Sequence, residues 1–279
     1  MTRTLALLGD TPAARPVLET AVLCGRLLGT EVEALHVGDR RDEAPPAVVS
    51  LAARLEVPLR TVAGPVAPTL LRSLEDADVA IAVVGGRTEV GPSPEGTVVA
   101  RLLGATTKPI VVVPPDATSP RRIGRLLVPL EGDEASSSAV ADWLLPHLND
   151  DVELVVLHAF TAATQPGMLD RPEHDWSLLG REFLARHFPA ASSVELRTGA
   201  AAQEIGEASG TLGVDLVVMS WAQDASPGRA ATLRAVLDTS SLPVLIVPGS
   251  RPTTSSATQR HGPSFGPLDP IQDRRRTVR

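Results

Sequence analysis

The chain has 279 residues and carries 26 basic against 33 acidic side chains, a formal net charge of −7. This charge does not attract nucleic acid or an anionic membrane. Aromatic residues make up only 3% of the chain, too few for a protein that stacks bases on aromatic side chains. The composition is typical of a globular protein, and the length allows one large domain or two of about 120–140 residues.

The N-terminal segment and the single cysteine indicate a cytoplasmic protein. The apolar run near the N-terminus is too short for a signal peptide, and no run approaches the roughly 18 residues of a membrane span. Cys24 is the single cysteine of the sequence, which excludes an intrachain disulfide and a cysteine-based zinc cluster. Because it lies in an apolar helical stretch, we expect a small buried side chain rather than a reactive thiol.

An internal repeat is the most informative feature of the sequence. Residues 4–10 and 125–131 are both short apolar runs that end in an acidic residue, Asp10 or Glu131. The runs are rich in Val, Ile and Leu and do not alternate with polar residues, as is typical of strands buried on both faces of a parallel sheet. Further pairs follow in the same order: 31–37 with 151–160, 57–64 with 193–200, 76–85 with 213–221, and 108–115 with 242–249.

Helical patterns separate these runs, so each copy is predicted to contain five strands and four helices. Strands that alternate with helices favour right-handed crossovers and a doubly wound parallel sheet. In the second copy Asp133 is the expected N-cap of the first helix, and Pro146 is expected to kink or shorten that helix.

The predicted organisation is two tandem domains followed by a tail. Domain 1 covers residues 1–116, a stiff Pro-containing linker covers 117–122, and domain 2 covers 123–249. The tail at 250–279 is rich in Pro and Arg with little apolar periodicity, so it is predicted to be disordered. Its Arg run at 274–276 is more often solvated than bound to a partner.

In an open parallel sheet, ligands bind beyond the carboxyl ends of the strands. In the first copy the residues at this position are Gly9, Asp10 and Thr11 after the first strand, and a glycine-containing loop after the fourth. Gly96-Thr97 begins a helix and is a credible phosphate site, while Asp10 is a credible acceptor for a ribose hydroxyl or an adenine amine. The alternative is a glycine-rich turn followed by a helix cap.

The chain resembles a tandem universal stress protein with two UspA-type domains. The family's first strand runs into a P-x-D-G-S-like turn, as LVPLEGDEAS (127–136) nearly does, and its second strand ends in Leu-His-Val, present at 35–37. KPIVVVP (108–114) and LPVLIVP (242–248) are similar to its last strand. The resemblance implies two five-stranded parallel sheets of order 3-2-1-4-5, the adenine nucleotide alpha-hydrolase-like fold, and ATP held by the strand-one Asp and a glycine loop.

The family's binding motif is only partly present in the first copy. Gly85 matches the first motif glycine, Thr88 replaces the second, and Gly96-Thr97 match the last pair. The loop between Thr88 and Gly96 is two residues shorter than the corresponding loop of the family. Two Pro residues remove backbone N–H groups from it, and two Glu residues place like charge near the phosphates. The residues that the resemblance assigns to an adenine nucleotide are therefore Gly9, Asp10, Thr11, Val37, Gly85, Thr88, Gly96 and Thr97.

The second copy has lost most of the motif. Ser220 stands in the place of the first glycine, Glu131 replaces the strand-one Asp, and the helix after the loop begins through Ala230 and Ala231. We expect no nucleotide site there. His36 and His158 close equivalent strands, where a structural hydrogen bond is a more common role than catalysis.

The resemblance, read with these residues, implies a cytoplasmic stress-response regulator. We expect its N-terminal domain to bind ATP or another adenine nucleotide weakly, and the protein to act through nucleotide-dependent contacts with an unidentified protein partner. The alternative is an interaction scaffold with the same fold and no ligand. A slow nucleotide hydrolase ranks last among the alternatives. The sequence has no G-x-S-x-G, H-E-x-x-H or P-loop motif, so the protein is predicted not to be an enzyme.

The last strand of each copy predicts how the domains assemble. Both IVVV (110–113) and VLIV (244–247) would leave an apolar sheet edge exposed unless another strand covers it. We expect the two to face each other within one chain as a pseudo-dimer, with a homodimer as a further option.

Overall fold

The computed structural model describes residues 2–38, 44–86, 98–130, 134–149, 151–160, 193–221 and 230–249, with six isolated positions between 178 and 191. The predicted site residues Thr88, Gly96 and Thr97 lie outside the described residues. The predicted N-cap Asp133 and the predicted tail at 250–279 lie outside them as well.

Strands and helices alternate through the first half of the chain. The first helix ends at Gly29, whose φ of 64° is a left-handed conformation that glycine adopts without strain and whose N–H donates to the Gly25 carbonyl. The elements are β1 (Arg3–Leu8), α1 (Ala14–Leu28), β2 (Glu31–Gly38), α2 (Pro46–Arg54), β3 (Leu59–Ala63), α3 (Val66–Leu74), β4 (Val79–Gly85), α4 (Val98–Ala105) and β5 (Ile110–Val113).

The second half repeats this order. Its first helix ends at Leu144, and a single 3-10 turn over Leu145–His147 contains Pro146, so the expected shortening of this helix is confirmed. The segment between its second and third strands lies mostly outside the described residues. The elements are β6 (Arg125–Pro129), α5 (Glu134–Leu144), β7 (Glu153–Phe160), β8 (Ser193–Thr198), α6 (Ala201–Thr211), β9 (Leu216–Trp221), α7 (Ala231–Thr239) and β10 (Val244–Pro248).

All ten strands form one sheet, in the order β3-β2-β1-β4-β5-β10-β9-β6-β7-β8. Strands within each half are parallel, so each half has the strand order 3-2-1-4-5. This confirms the predicted fold class of two doubly wound five-stranded units.

The core forms two apolar layers, one on each face of this sheet. Neighbouring strand residues alternate between the layers, because successive side chains of a strand point to opposite faces: Ala6 and Leu8 belong to one layer, Leu5 and Leu7 to the other. Helices α1, α2 and α5 cover the first layer, and α3, α4, α6 and α7 cover the second. Both layers run through both halves, so the two domains share a continuous core.

The two halves meet through their fifth strands. β5 and β10 pair antiparallel, with Val112 opposite Val244, Val111 opposite Leu245 and Ile110 opposite Ile246. This is the pairing within one chain that the sequence analysis expects. A second contact crosses the junction, where the buried indole N–H of Trp221 donates to the Leu103 carbonyl of α4 at 3.0 Å.

We predict that an isolated fragment of residues 1–118 self-associates. It retains the apolar β5 edge but loses β10, which covers that edge in the full chain. Sedimentation equilibrium over a range of concentrations measures the association. The control is the full chain, in which β10 covers the β5 edge and β9 covers the other edge of β10, so it should associate less than the fragment at every concentration. A strictly monomeric, soluble 1–118 fragment would contradict this account of the edge.

We also predict that the Cys24 thiol is inert in the native protein. Cys24 is 2% exposed, and burial raises its pKa to about 12. A thiol in an unfolded chain has a pKa of about 8.5, so at pH 8.5 only the unfolded chain carries reactive thiolate. Alkylation at that pH should label the native chain negligibly and the denatured chain with one equivalent, measured by intact mass. Rapid labelling of the native protein would show that Cys24 is accessible.

Candidate functional site

A cavity of about 280 Å³ opens at the carboxyl ends of β1, β2 and β4. β1 lies between β2 and β4, so this is the point in domain 1 where the strand order reverses and where open α/β sheets bind ligands. Its walls come from the strand ends, the turn after β1, and helices α1, α3 and α4. The lining residues are Leu7, Leu8, Gly9, Asp10, Thr11, Ala13, Ala14, Val17, His36, Val37, Val66, Leu70, Val84, Gly85 and Val98.

The turn from Gly9 to Thr11 supplies most of the polar groups of the cavity. Gly9 and Asp10 are exposed, and the structure gives the Asp10 carboxylate no hydrogen bond or ion pair with any described residue. Among the described residues, a Cβ added at Gly9 would meet the Thr11 side chain alone, at 3.5 Å, and the φ of Gly9 is not in the left-handed region. The described part of the chain therefore leaves room for a ligand to approach the Gly9 backbone closely.

Gly85, in contrast, has a packing role. A Cβ at this position would lie 3.2 Å from the Ala13 Cβ and 3.5 Å from the Val17 Cγ2, so the end of β4 approaches α1 closely. In the second half Ser220 pairs with β10 as Gly85 pairs with β5, which confirms that it occupies the equivalent position. The match of Gly85 to the motif glycine is thus explained by helix packing without a ligand.

A histidine ties the second strand to the end of the first in both halves. His36 Nδ1 donates to the Leu8 carbonyl at 2.9 Å, and His158 Nδ1 donates to the Leu130 carbonyl at 2.8 Å. A carbonyl oxygen only accepts, so Nδ1 carries the proton in each ring. The expected structural hydrogen bond is present in both copies, and His36 also lines the cavity.

These equivalent bonds correct one residue assignment made from the sequence. Leu8 and Leu130 hold the same place in the repeat, because each accepts the bond from the histidine of the second strand. The strand register agrees: Leu8 lies opposite His36, and Pro129 lies opposite Leu157, one residue before Leu130 and His158. Counted along the chain from Leu130, Glu131 takes the place of Gly9, one position before that of Asp10. The pairing of Glu131 with Asp10 was wrong because both runs end in an acidic residue, whereas the hydrogen bonds set the register.

The structure brings together every predicted site residue that it describes. Gly9, Asp10, Thr11, Val37 and Gly85 all line the same cavity. No sequence motif points to the apolar wall of the cavity, which includes Val66, Leu70 and Val98. Val66 begins α3 and is 45% exposed, a large apolar side chain left open beside the cavity. The helical spacing of the apolar residues in α3 is the one sequence feature that indicates this wall.

Neither a cluster of metal ligands nor a membrane-spanning helix occurs among the described residues. None of the described His, Cys, Asp and Glu side chains form a group of three or more that could hold a metal ion. Among the helices described here, none is long and apolar enough to cross a membrane.

Comparison with known proteins agrees with this architecture. Residues 122–248 match the model of the universal stress protein family. The structure of a functionally unknown protein from Pseudomonas aeruginosa PAO1 is similar over 89% of this chain and 93% of its own, with 16% identity and a TM-score of 0.65. A universal stress protein from Archaeoglobus fulgidus DSM 4304 covers 89% of this chain and 96% of its own, with 13% identity and a TM-score of 0.60. No curated protein matches the sequence.

The chain therefore carries a universal stress protein domain at residues 122–248 and repeats its fold in the first half. This confirms the tandem arrangement that the sequence resemblance predicts. At these low identities the solved structures support the fold alone, so the function must be argued from the cavity.

Proposed function

We propose that the chain is a stress-response regulator whose N-terminal domain binds an adenine nucleotide weakly. The observation that carries the proposal is the cavity at the switch point of domain 1, which combines apolar walls with the carboxylate of Asp10, a group that pairs with no described residue. Small-molecule sites are typically apolar clefts with a few convergent polar groups, and this cavity has that composition.

The lining residues suit the base and sugar of a nucleotide. Val66, Leu70 and Val98 offer apolar contact to the faces of a purine, and Asp10 and Thr11 lie where they can bond hydroxyl or amine groups. The volume of about 280 Å³ lies just below that of typical small-molecule sites, which run from roughly 300 to 1,000 Å³. This small volume supports binding of the nucleoside portion rather than of a whole triphosphate.

The charge of the cavity does not favour additional phosphates. Among the described lining residues there is no Lys or Arg, and Asp10 is the one carboxylate. Two like charges about 4 Å apart repel by roughly 1–4 kcal/mol, depending on local screening. Each further phosphate therefore adds repulsion without a described cation to offset it, which supports weak binding.

The remaining parts of the proposal concern the role of the protein in the cell. We propose that it works in the cytoplasm, that it signals through contacts with a protein partner, and that it is not an enzyme. The sequence assembles no nucleophile with a base, and the cavity offers a binding surface rather than a reacting centre. In this proposal the chain binds the surface of its protein partner when a nucleotide occupies the cavity.

An interaction scaffold without a ligand is the second candidate. The observation that favours it is the packing role of Gly85, because this glycine would be kept whether or not a nucleotide binds. Isothermal titration of the full chain with ATP, ADP and AMP decides between the two. Saturable binding of any of the three supports the regulator, and no heat of binding at millimolar concentrations supports the scaffold.

We predict that Asp10→Ala removes most of the affinity for an adenine nucleotide. Hydrogen bonds to a charged group contribute about 1.5–3 kcal/mol, so the loss should be roughly 10- to 100-fold. The measurement is titration calorimetry with AMP. Glu131→Ala, which removes a carboxylate beside the position equivalent to Asp10 in the second half, is the control and should leave the dissociation constant within about threefold. Equal losses in the two variants would place the ligand elsewhere.

We predict that AMP and ATP bind with similar affinity. The outer phosphates of ATP meet no described cation and face the charge of Asp10, so they should change the dissociation constant by no more than about tenfold in either direction. Parallel titrations at one ionic strength test this, with adenosine as the uncharged reference. ATP bound about a hundredfold more tightly than AMP would show that the site holds the triphosphate.

A further inference from the structure

The turn that carries Asp10 is held at its two ends by different hydrogen bonds. At its start, His36 Nδ1 donates to the Leu8 carbonyl at 2.9 Å. At its end, the Ala14 backbone N–H donates to the Thr11 carbonyl at 3.0 Å, in the first turn of α1. Between these two points Gly9 and Asp10 are exposed and make no hydrogen bond to a described residue.

The bond from His36 fixes more than one oxygen atom. The Leu8 carbonyl belongs to the planar peptide unit that joins Leu8 to Gly9, and the described chain contains no cis peptide bond. In a trans peptide the C=O and N–H point in opposite directions, so holding the oxygen also orients the Gly9 N–H. Gly9 has no side chain that could restrict its conformation, so the direction in which the chain enters the turn depends on this peptide.

His36 is well placed for such a role. It is one of the few buried polar residues, at 7% exposed, and it lines the cavity that Gly9 and Asp10 also line. It lies opposite Leu8 in the β1–β2 register, so its backbone is anchored in the sheet. A ring held in this way presents a donor of fixed position to the turn.

We propose that His36 is a positioning residue of the domain 1 cavity, which holds the Leu8–Gly9 peptide and thereby sets the place of the Asp10 carboxylate. The proposal rests on the function proposed above and assigns a role to a side chain that need not touch the ligand. His158 makes the same bond to Leu130 in domain 2. The chain therefore contains a matched control for the structural part of the role.

The test uses the full chain and compares His36→Leu, His36→Asn and His158→Leu. Asparagine can place an amide donor near the position of Nδ1, whereas leucine cannot donate. Two quantities are measured: the affinity for AMP by calorimetry, and the backbone order parameters of residues 9–11 in the ligand-free protein by NMR relaxation. Should His36→Leu not fold, His36→Gln takes its place, because its longer side chain puts the amide beyond the Nδ1 position.

We expect His36→Leu to weaken AMP binding by about tenfold and to lower the order parameters of residues 9–11 from about 0.85, typical of rigid backbone, to below about 0.6. His36→Asn should restore the affinity to within about threefold and return the order parameters to the wild-type values. His158→Leu should lower the melting temperature as His36→Leu does, while leaving the AMP affinity and the order parameters of the turn unchanged. Wild-type affinity and order parameters in His36→Leu would overturn the proposal, and so would equal loss of AMP affinity in His158→Leu.

The order parameters separate this inference from the proposed function. If the wild-type chain binds no AMP, the proposed function fails. The inference then stands if His36→Leu lowers the order parameters of the turn and His36→Asn restores them, because that shows that the His36 bond holds the backbone that carries Asp10. It falls if the order parameters of the turn are the same in the wild type and in all three variants.

Discussion

The antiparallel pairing of β5 with β10 is the interaction on which the rest of the architecture depends. Each half ends in a short apolar strand whose free edge would expose unpaired N–H and C=O groups, and the pairing covers both edges at once. It also reverses the strand direction at the middle of the sheet. The end of β5 and the start of β6 therefore share one edge, and the linker has to cross only three strand spacings of about 4.8 Å each.

The same reversal places the two switch points on opposite edges of the sheet, so the halves cannot share one ligand and each is free to diverge. The residue after Gly85 or Ser220 shows this divergence. In the first half it is Gly86, where an added Cβ would lie 3.0 Å from the Val112 Cγ1. In the second half it is Trp221, which bonds across the junction to Leu103. One position thus serves close packing in one domain and domain association in the other.

The sequence predicts the strands and their order well, because apolar runs without alternation are typical of strands buried on both faces. It predicts less accurately those features that depend on contacts between residues far apart in the chain. A pattern cannot distinguish a glycine that a ligand requires from one, like Gly85, that Ala13 requires, since both need a small residue. Nor can it align Glu131 correctly, because the register is set by the bonds of His36 and His158. The wall formed by Val66 and Val98 comes from separate helices.

The charge of the cavity bears on what the proposed regulator can sense. A site that gains affinity from each phosphate responds to the ratio of ATP to AMP, because the two compete for it unequally. The described lining residues include one carboxylate, Asp10, and no Lys or Arg, so on the proposed function they bind the base and the sugar, which all adenine nucleotides share. Such a site responds to the summed concentration of adenine nucleotides. On the proposed function, the signal passed to a partner is therefore the size of the adenylate pool rather than its state of phosphorylation.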